Sequence, residues 1–564
     1  MLPQRAPSPG RARARLRVLA APVGPHRRRP RRRLLGAAAV LAAAGGGIAV
    51  WQALADEPQQ AAAREEPPAP ARTADVGRGA TARPGAVPEL PDLPSRTPRA
   101  PRPYAPPANA AQPINTAFPG ITTFRGNATR SYYGAGPVPR DPRVLWRYPE
   151  SGGLCARSSD ETGAHVWCGV GWTGQPNVIV HESGRTELRF GAYDRAYHFL
   201  NARTGRPLRP SLVTGDLAKG SATSDPDGYP LYYAGSRDNR LRVVALDRKA
   251  PTVLWSLDAT TSVPEPVWND DWDGAPLVVG DHLLTGGENS WFYVVRLNRS
   301  YGPGGKVRVA PRVVFRTPGW DAQLARDVPD RRFSIESSVA FHDGVAYFAN
   351  SAGLVQGWDV SRLLEGGTGA RRVFRFWTGD DTDASVVIDD EGFLYVASEL
   401  ERYDSRSARV GQLLKLDPSR PRDPIVWSVP LRKQAGGKGG VWATPAIWRG
   451  MLYVTTNAGE LIGINRATGK ELWRLSLPGP TWSSPVVVDD VLLQGDCAGD
   501  LHAYDVSDQR ARPRELWRVH LPGCIEATPA VFGGRIYLGT RGGAMYALGD
   551  RISPTGVPSG EGPT

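Results

Sequence analysis

A repeat of about 45 residues is the feature of this sequence that most restricts its fold. Trp427, Trp473 and Trp517 stand 46 and 44 residues apart, in short segments such as "KELWRL" and "RELWRV". An apolar segment ending in Asp or Asn precedes each of them ("LLKLD", "LIGIN", "LHAYD"), and two apolar segments joined by a Gly/Asp turn come before that. Four short strands with tight turns are the content of one β-propeller blade. The fixed period therefore favours a ring of blades over a β-sandwich.

Opening strands of this repeat start near residues 172, 221, 273, 336, 383, 442, 482 and 526, which gives eight units. The eighth unit stops before its tryptophan strand. Conversely, the first tryptophan strand, "RVLWRY" at 143–148, has no opening strand before it. We therefore predict an all-β, eight-bladed propeller of four-stranded blades in which the N-terminal strand completes the last blade. Such closure removes the open edge that a sheet would otherwise expose.

The segment "INRATGKELW" at 464–473 resembles the repeat of the pyrroloquinoline quinone (PQQ) β-propellers, roughly A-x-D-x-x-T-G-x-x-x-W. The resemblance covers about residues 143–549. It weakens in the first blade, where Arg209 stands in place of the tryptophan. The Asp or Asn and the Thr-Gly pair are expected to form a turn, and the tryptophan is expected to pack between neighbouring blades. The predicted blade-forming residues are Trp146, Trp255, Trp427, Asn465, Thr468, Gly469, Trp473 and Trp517.

The positive charge of the chain is confined to its N-terminus. The chain has a net charge of +13, and residues 1–33 hold 11 arginines and no acidic residue. The rest of the chain holds 58 basic and 56 acidic residues and is therefore nearly neutral. A nearly neutral body has no electrostatic footprint for nucleic acid. We therefore expect no nucleic-acid partner.

An uncharged segment follows the basic one, at residues 34–51. We predict that residues 34–55 form a transmembrane helix or a signal peptide cleaved near Ala55, and both alternatives stay open. The arginines before it place the body outside the cytoplasm, in a single-pass membrane protein or a secreted one. Residues 56–113 are rich in Pro and Ala and are predicted to form a disordered linker. The propeller domain is assigned to 114–549 and a flexible tail to 550–564.

Four cysteines are present, all in the predicted exported body: Cys155, Cys168, Cys497 and Cys524. An even number of cysteines in an exported protein favours disulfides. The blade topology places all four on one face of the ring. We therefore predict the pairs Cys155–Cys168 and Cys497–Cys524.

Candidate ligand-binding residues stand just before each opening strand, at the expected mouth of the central channel. Acidic side chains gathered there repel each other unless a cation joins them, and calcium accepts such oxygen ligands. An alternative is that these acids pair with Arg331, Arg332 or Lys438. Trp442 and Trp482 could stack on a planar ligand. The candidates are Asp273, Glu336, Asp383, Trp442, Trp482 and Glu526, with Asp273, Glu336 and Asp383 as the calcium ligands.

Two functions follow as hypotheses. The first is a non-catalytic binding or scaffold module that holds an envelope protein or glycan, and the long insertions at 319–333 and 399–412 favour it. The second is a dehydrogenase. For this case the resemblance implies PQQ in the channel, calcium beside it and an acidic base. No catalytic residue is assigned by the first hypothesis.

Overall fold

The computed structural model describes residues 112–160, 163–402, 404–431 and 439–550. The predicted membrane or signal segment lies outside the described residues, as does nearly all of the predicted linker and tail. Among the residues that are described, no helix is both long enough and apolar enough to cross a membrane.

These residues form an eight-bladed β-propeller, as predicted. Each blade is an antiparallel four-stranded sheet, and first strands contact one another between blades 4 and 5, blades 6 and 7, and blades 8 and 1. From inner to outer, the strands are Asn177–Val180, Thr186–Ala192, Ala196–Asn201 and Leu212–Val213 (blade 1); Thr223–Ser224, Leu231–Ala234, Arg240–Ala245 and Thr252–Asp258 (blade 2); Leu277–Val279, His282–Gly286, Trp291–Arg296 and Arg312–Pro318 (blade 3); and Ala340–His342, Val345–Phe348, Leu354–Asp359 and Arg371–Trp377 (blade 4). The second half of the ring continues with Val387–Ile388, Leu394–Ala397, Leu413–Leu416 and Ile425–Val429 (blade 5); Ala446–Trp448, Met451–Thr456, Glu460–Asn465 and Glu471–Ser476 (blade 6); Val486–Val488, Val491–Gly495, Asp500–Asp505 and Arg514–His520 (blade 7); and Ala530–Phe532, Arg535–Thr540, Ala544–Gly549 and Arg143–Tyr148 (blade 8).

The ring closes through its N-terminal strand. Arg143–Tyr148 pairs antiparallel with Ala544–Gly549 as the outer strand of blade 8, with Trp146 opposite Ala547. This confirms the predicted closure: the last blade is built from both ends of the propeller sequence.

Tryptophans of the outer strands pack on the turns of the neighbouring blades and hydrogen-bond to them. The indole N–H of Trp427 in blade 5 donates to the carbonyl of Arg466 in blade 6 at 3.0 Å. Gly469 lies at φ +72°, and a Cβ there would fall 2.7 Å from the Trp427 ring. Trp146 packs in the same way on Gly205. The Thr-Gly turn therefore supplies both a left-handed backbone and the close approach that the tryptophan needs.

Blade 1 uses an arginine for the same purpose. Arg209 stands where the tryptophan is expected, and its Nη1 donates to the carbonyl of Leu246 in blade 2 at 2.5 Å. Its guanidinium lies over the Phe199 ring and 3.4 Å from the buried Glu187 carboxylate. The departure from the repeat is thus a replacement of the contact and not a loss of it.

A ring of hydroxyls joins successive inner strands and explains the small residues at the start of each repeat. Backbone N–H groups donate to the hydroxyl of the next blade at 2.9–3.0 Å, from Ala275 to Ser338, Ser338 to Ser385, Ser385 to Thr444, and Thr444 to Ser484. These hydrogen bonds satisfy buried amides that no β-ladder reaches.

Residues 114–135, which we call the plug segment, cross the channel below this ring and contact all eight blades. Strand Gly120–Ile121 adds to blade 1, and Gly134–Ala135 pairs parallel with the inner strand of blade 8. The buried Arg125 donates to the carbonyls of Thr444 in blade 6 and Pro485 in blade 7, each at 2.8 Å. The other contacts join Thr122 to Ser224, Thr123 to Pro276, Ala128 to Phe341 and Thr129 to Ile388.

The remaining elements lie in loops. Helix α1 is Ala322–Asp327, α2 is Ser361–Leu364, α3 is Ser405–Val410, and a 3₁₀ turn spans Pro303–Gly305 between the short strands Ser300–Tyr301 and Val307–Arg308. Strands Cys155–Asp160 and Gly163–Cys168 form a hairpin that leads into blade 1.

Both predicted disulfides are present. Cys155 is bonded to Cys168 at the base of this hairpin, and Cys497 is bonded to Cys524 between blades 7 and 8. Disulfides persist in oxidising compartments, which indicates an extracytoplasmic location.

Candidate functional site

The candidate site lies at the mouth of the channel, above the hydroxyl ring. It is formed by residues just before the inner strands together with side chains from the loops between second and third strands. We call it the channel-mouth cluster and define it by Lys219, Asp273, Glu288, Glu336, Asp383 and Trp442.

A lysine lies within the first group of acids. The Lys219 ammonium contacts the carboxylate of Asp273 and lies 4.0 Å from oxygens of both Glu288 and Glu336. Burial opposes its charge, but these three carboxylates raise the pKa of Lys219 well above its usual value. The ammonium is therefore held charged and supplies the cation that this group of acids requires.

Two of the carboxyls around Lys219, those of Glu336 and Glu288, hold their protons at unusually high pH. Burial and the nearby Asp383 raise the pKa of Glu336 to about 8, although Lys219 opposes this shift. Burial, with the carboxylates of Glu336 and Asp273, also raises the pKa of Glu288 well above its ordinary range. The group of acids around Lys219 therefore carries less negative charge at neutral pH than it would if every carboxyl were ionised.

A second group of acids adjoins the first and consists of Asp381, Asp383 and Glu399, whose oxygens lie within 4.8 Å of one another. Burial and the neighbouring Asp383 raise the pKa of Asp381 well above its ordinary range. The three residues proposed as calcium ligands are thus divided: Asp273 and Glu336 lie in the first group, and Asp383 lies in the second.

Aromatic side chains form one wall of the cluster. The ring of Trp442 stacks on Trp172, with centroids 5.4 Å apart and planes 14° apart, and meets Trp482 edge-on at 5.4 Å. The structure thus brings the two predicted tryptophans together. Trp172 covers one face of Trp442, and it escaped the sequence analysis because it precedes the aligned position by one residue.

Glu526 lies near the seam between blades 8 and 1. Among the acids predicted as ligand-binding residues, it is the one that pairs with an arginine within the described residues. Its carboxylate accepts from Arg541 at 2.9 Å, and Arg541 also lies over the rings of Trp167 and Tyr193. Of the basic residues considered from sequence, Arg331 contacts Glu265 at 2.7 Å, and Lys438 lies outside the described residues.

Inserted segments surround the cluster. The segment 319–333 carries α1, and its Asp330 pairs with Arg402 of the insertion at 399–412. Arg332 lies 4.3 Å from the ring centre of Trp268, whose residue is 37% exposed. These segments, with the 155–168 hairpin, form a rim at this end of the ring.

Comparison with known proteins agrees with the repeat pattern. A family profile described as "Outer membrane protein assembly factor BamB" matches residues 411–548, from the end of blade 5 to blade 8. This match supports the resemblance of the repeats to those of the PQQ β-propellers. No protein with a curated description matches the sequence significantly.

Two solved quinohemoprotein alcohol dehydrogenases share the fold at low identity. Quinohemoprotein alcohol dehydrogenase from Comamonas testosteroni is 13% identical, over 79% of this chain and 82% of that one, with a TM-score of 0.53. Quinohemoprotein alcohol dehydrogenase ADHIIG from Pseudomonas putida HK5 is 12% identical, over 81% and 82%, with a TM-score of 0.50. BamB from Moraxella catarrhalis is 15% identical, over 73% and 99%, with a TM-score of 0.37. At these identities the likeness to the two alcohol dehydrogenases shows the fold alone.

Proposed function

We propose that this PQQ-repeat propeller is a non-catalytic binding or scaffold module of the cell envelope. Its N-terminal segment would hold it at the membrane, or cleavage near Ala55 would release it. The observation that carries the proposal is Lys219, which already supplies a cation to Asp273, Glu288 and Glu336. In a scaffold, such a buried and neutralised group serves to join blades 2, 3 and 4.

The cluster does not fit PQQ. This quinone carries carboxylate groups, and it would meet a site rich in carboxylates whose lysine is already engaged. Trp172 covers one face of the Trp442 ring, so that face is closed to a stacked ligand. The indole N–H of Trp442 already donates to Asp383 at 2.8 Å. These contacts support a binding role over a quinone-dependent one.

Calcium is a separate question, because oxygen ligands suit it. The group Asp381, Asp383 and Glu399 offers such ligands and has no lysine within it. These residues would hold the ion if the alternative function, a PQQ- and calcium-dependent dehydrogenase, were correct.

The rim is the surface that we assign to the partner, an envelope protein or a glycan. Propeller loops vary freely on a rigid scaffold and carry most of its interactions. Here the rim presents the half-exposed Trp268 beside Arg332, and exposed aromatic and arginine side chains are the residues that most often anchor a partner.

Two experiments on the full chain test the proposal. The first is a thermal melt with PQQ, calcium, both or neither, since a ligand at 100 times its dissociation constant adds roughly 2.7 kcal/mol. We expect PQQ to leave the melting temperature unchanged. A rise with PQQ plus calcium that Asp383→Asn abolishes would contradict the proposal and favour the alternative function, which a dye-linked oxidation assay would then test.

The second experiment places a photo-crosslinking amino acid at Trp268 in the native host. A discrete adduct is expected there. The matched control is Val253 on the outer strand of blade 2, which is 44% exposed and lies away from the rim. Equal adducts at both positions would contradict assignment of the rim as the binding surface.

A further inference from the structure

A cavity of about 490 Å³ lies at the seam between blades 1 and 8. It is lined by turns between first and second strands and by the turn after the third strand of blade 1, so it opens at the end of the strands opposite the channel-mouth cluster. Its volume is within the range of small-molecule sites. The polar lining residues on which the argument rests are Arg185, Thr186, Asn201, Arg203 and Arg535.

The charge of this cavity is of one sign. Three arginines line it, and none of its lining residues is acidic. The Nε and Nη2 atoms of Arg185 are buried and make no hydrogen bond within the described part of the chain. A buried guanidinium charge without an acceptor is costly, so an anion in the cavity beside Arg185 would lower this cost.

Arg535 is positioned by the seam itself. Nη1 of Arg535 in blade 8 donates to the carbonyls of Ala202 and Arg203 in blade 1, at 3.3 and 3.0 Å. The side-chain oxygen of Asn201 accepts from the backbone N–H of Arg203 at 2.9 Å, which orients its amide. The Arg535 guanidinium and the Asn201 amide are therefore held by the fold before any ligand arrives.

We propose that this seam cavity binds the phosphate group of an organic phosphate. Guanidinium groups bind phosphate oxygens in pairs and with geometric specificity. Thr186 and Asn201 add hydroxyl and amide donors, and Phe532 and Tyr537 form an apolar wall for the attached organic group. The phosphate can belong to a soluble ester or to an anionic lipid headgroup, since the recognising chemistry is the same. This site is independent of the function proposed for the rim.

The test uses the full chain and defined probes at constant ionic strength. Inorganic phosphate and glycerol 3-phosphate are titrated in thermal melts, and vesicles of phosphatidylcholine with or without phosphatidylglycerol are used in flotation. The variants are Arg185→Gln and Arg203→Gln. Arg203 is exposed, so its replacement leaves folding intact even if Arg185→Gln does not fold. Arg312→Gln, an exposed arginine of blade 3, controls for the loss of one positive charge.

We expect saturable stabilisation of the unmodified chain by glycerol 3-phosphate, weakened about tenfold in both cavity variants and unchanged in Arg312→Gln. Stabilisation without any effect of phosphatidylglycerol identifies a soluble ester as the source. Flotation that depends on phosphatidylglycerol and is lost in Arg203→Gln identifies a headgroup. No saturable effect in the unmodified chain, or an equal response in all three variants, would overturn the proposal.

Discussion

The indole N–H of Trp442 donates to Oδ2 of Asp383 at 2.8 Å, and this bond joins the aromatic wall of the channel mouth to its second group of acids. Asp383 in turn acts on Glu336, whose pKa it helps to raise, and Glu336 faces Lys219. Side chains of blades 2 to 6 therefore form one electrostatic unit. A change of charge at any one of these residues should therefore shift the pKa values of the others.

Replacing Lys219 by Met should destabilise the propeller strongly. The change removes the cation from three buried carboxyls, and breaking a buried pair from one side costs about 3–5 kcal/mol. Urea unfolding at neutral pH measures the loss. Lys249→Met, at an exposed position of blade 2, is the control and should be close to neutral. Adding Asp273→Asn to Lys219→Met should recover part of the stability, and failure to do so would contradict this view of the cluster.

Stability should fall with rising pH because of Glu336. Its pKa is raised from 4.5 to about 8, so the folded state binds the proton more tightly than the unfolded state does. The slope for one such group is about −1.4 kcal/mol per pH unit, and it applies between the unfolded pKa of 4.5 and the folded pKa of about 8.

Glu336→Gln removes this titration and should gain stability relative to the unmodified chain as the pH rises from 5 to 8. Urea unfolding of both proteins at several pH values tests it. Glu365→Gln, at an exposed site in blade 4, should follow the pH profile of the unmodified chain. Parallel profiles for Glu336→Gln and the unmodified chain would refute the assignment.

Gly469→Ala should cost more than its backbone conformation alone explains. Gly304 has nearly the same φ, +74° against +72°, but a Cβ there meets nothing within 4 Å. Gly304→Ala thus measures the left-handed backbone alone, about 1–2 kcal/mol, whereas Gly469→Ala adds the overlap with Trp427. Equal losses of unfolding free energy in the two variants would show that the blade contact relaxes freely.

Arg125→Met should loosen the plug segment. It removes two buried charge-assisted hydrogen bonds to carbonyls, each worth about 1.5–3 kcal/mol. Hydrogen exchange of residues 114–135 should accelerate, and the unfolding free energy should drop. Arg140→Met, at an exposed position beyond the plug, is the matched arginine control. Unchanged exchange in the Arg125 variant would show that the strand pairings hold the plug without it.

The repeated part of the fold could be predicted because the same contact recurs in most blades. Trp146, Trp427 and their turn glycines obey one pattern, and the missing tryptophan strand of the last unit required closure from the N-terminus. The disulfides followed from the same topology. Each prediction depended on spacing alone, which the sequence displays directly.

The unrepeated contacts were not predictable in this way. Within the described residues, Lys219 has no counterpart in the other blades, and its three acids come from separate loops that only the folded ring brings together. The plug segment lacks any repeat, and Arg125 forms no ion pair with the residues that the structure describes. The chemistry of the site therefore depends on residues that the repeat pattern does not predict.

The plug also imposes an order on the assembly of the chain. Arg125 meets partners 319 and 360 residues later in the sequence, and the outer strand of blade 8 waits for residues 544–549. During synthesis from the N-terminus, the plug segment can meet blades 1 to 5 as they emerge, but its contacts to blades 6, 7 and 8 form only when nearly the whole propeller has been made. Closure of the ring is thus the last step of folding. A chain that lacks the last blade would leave the plug segment exposed to proteases.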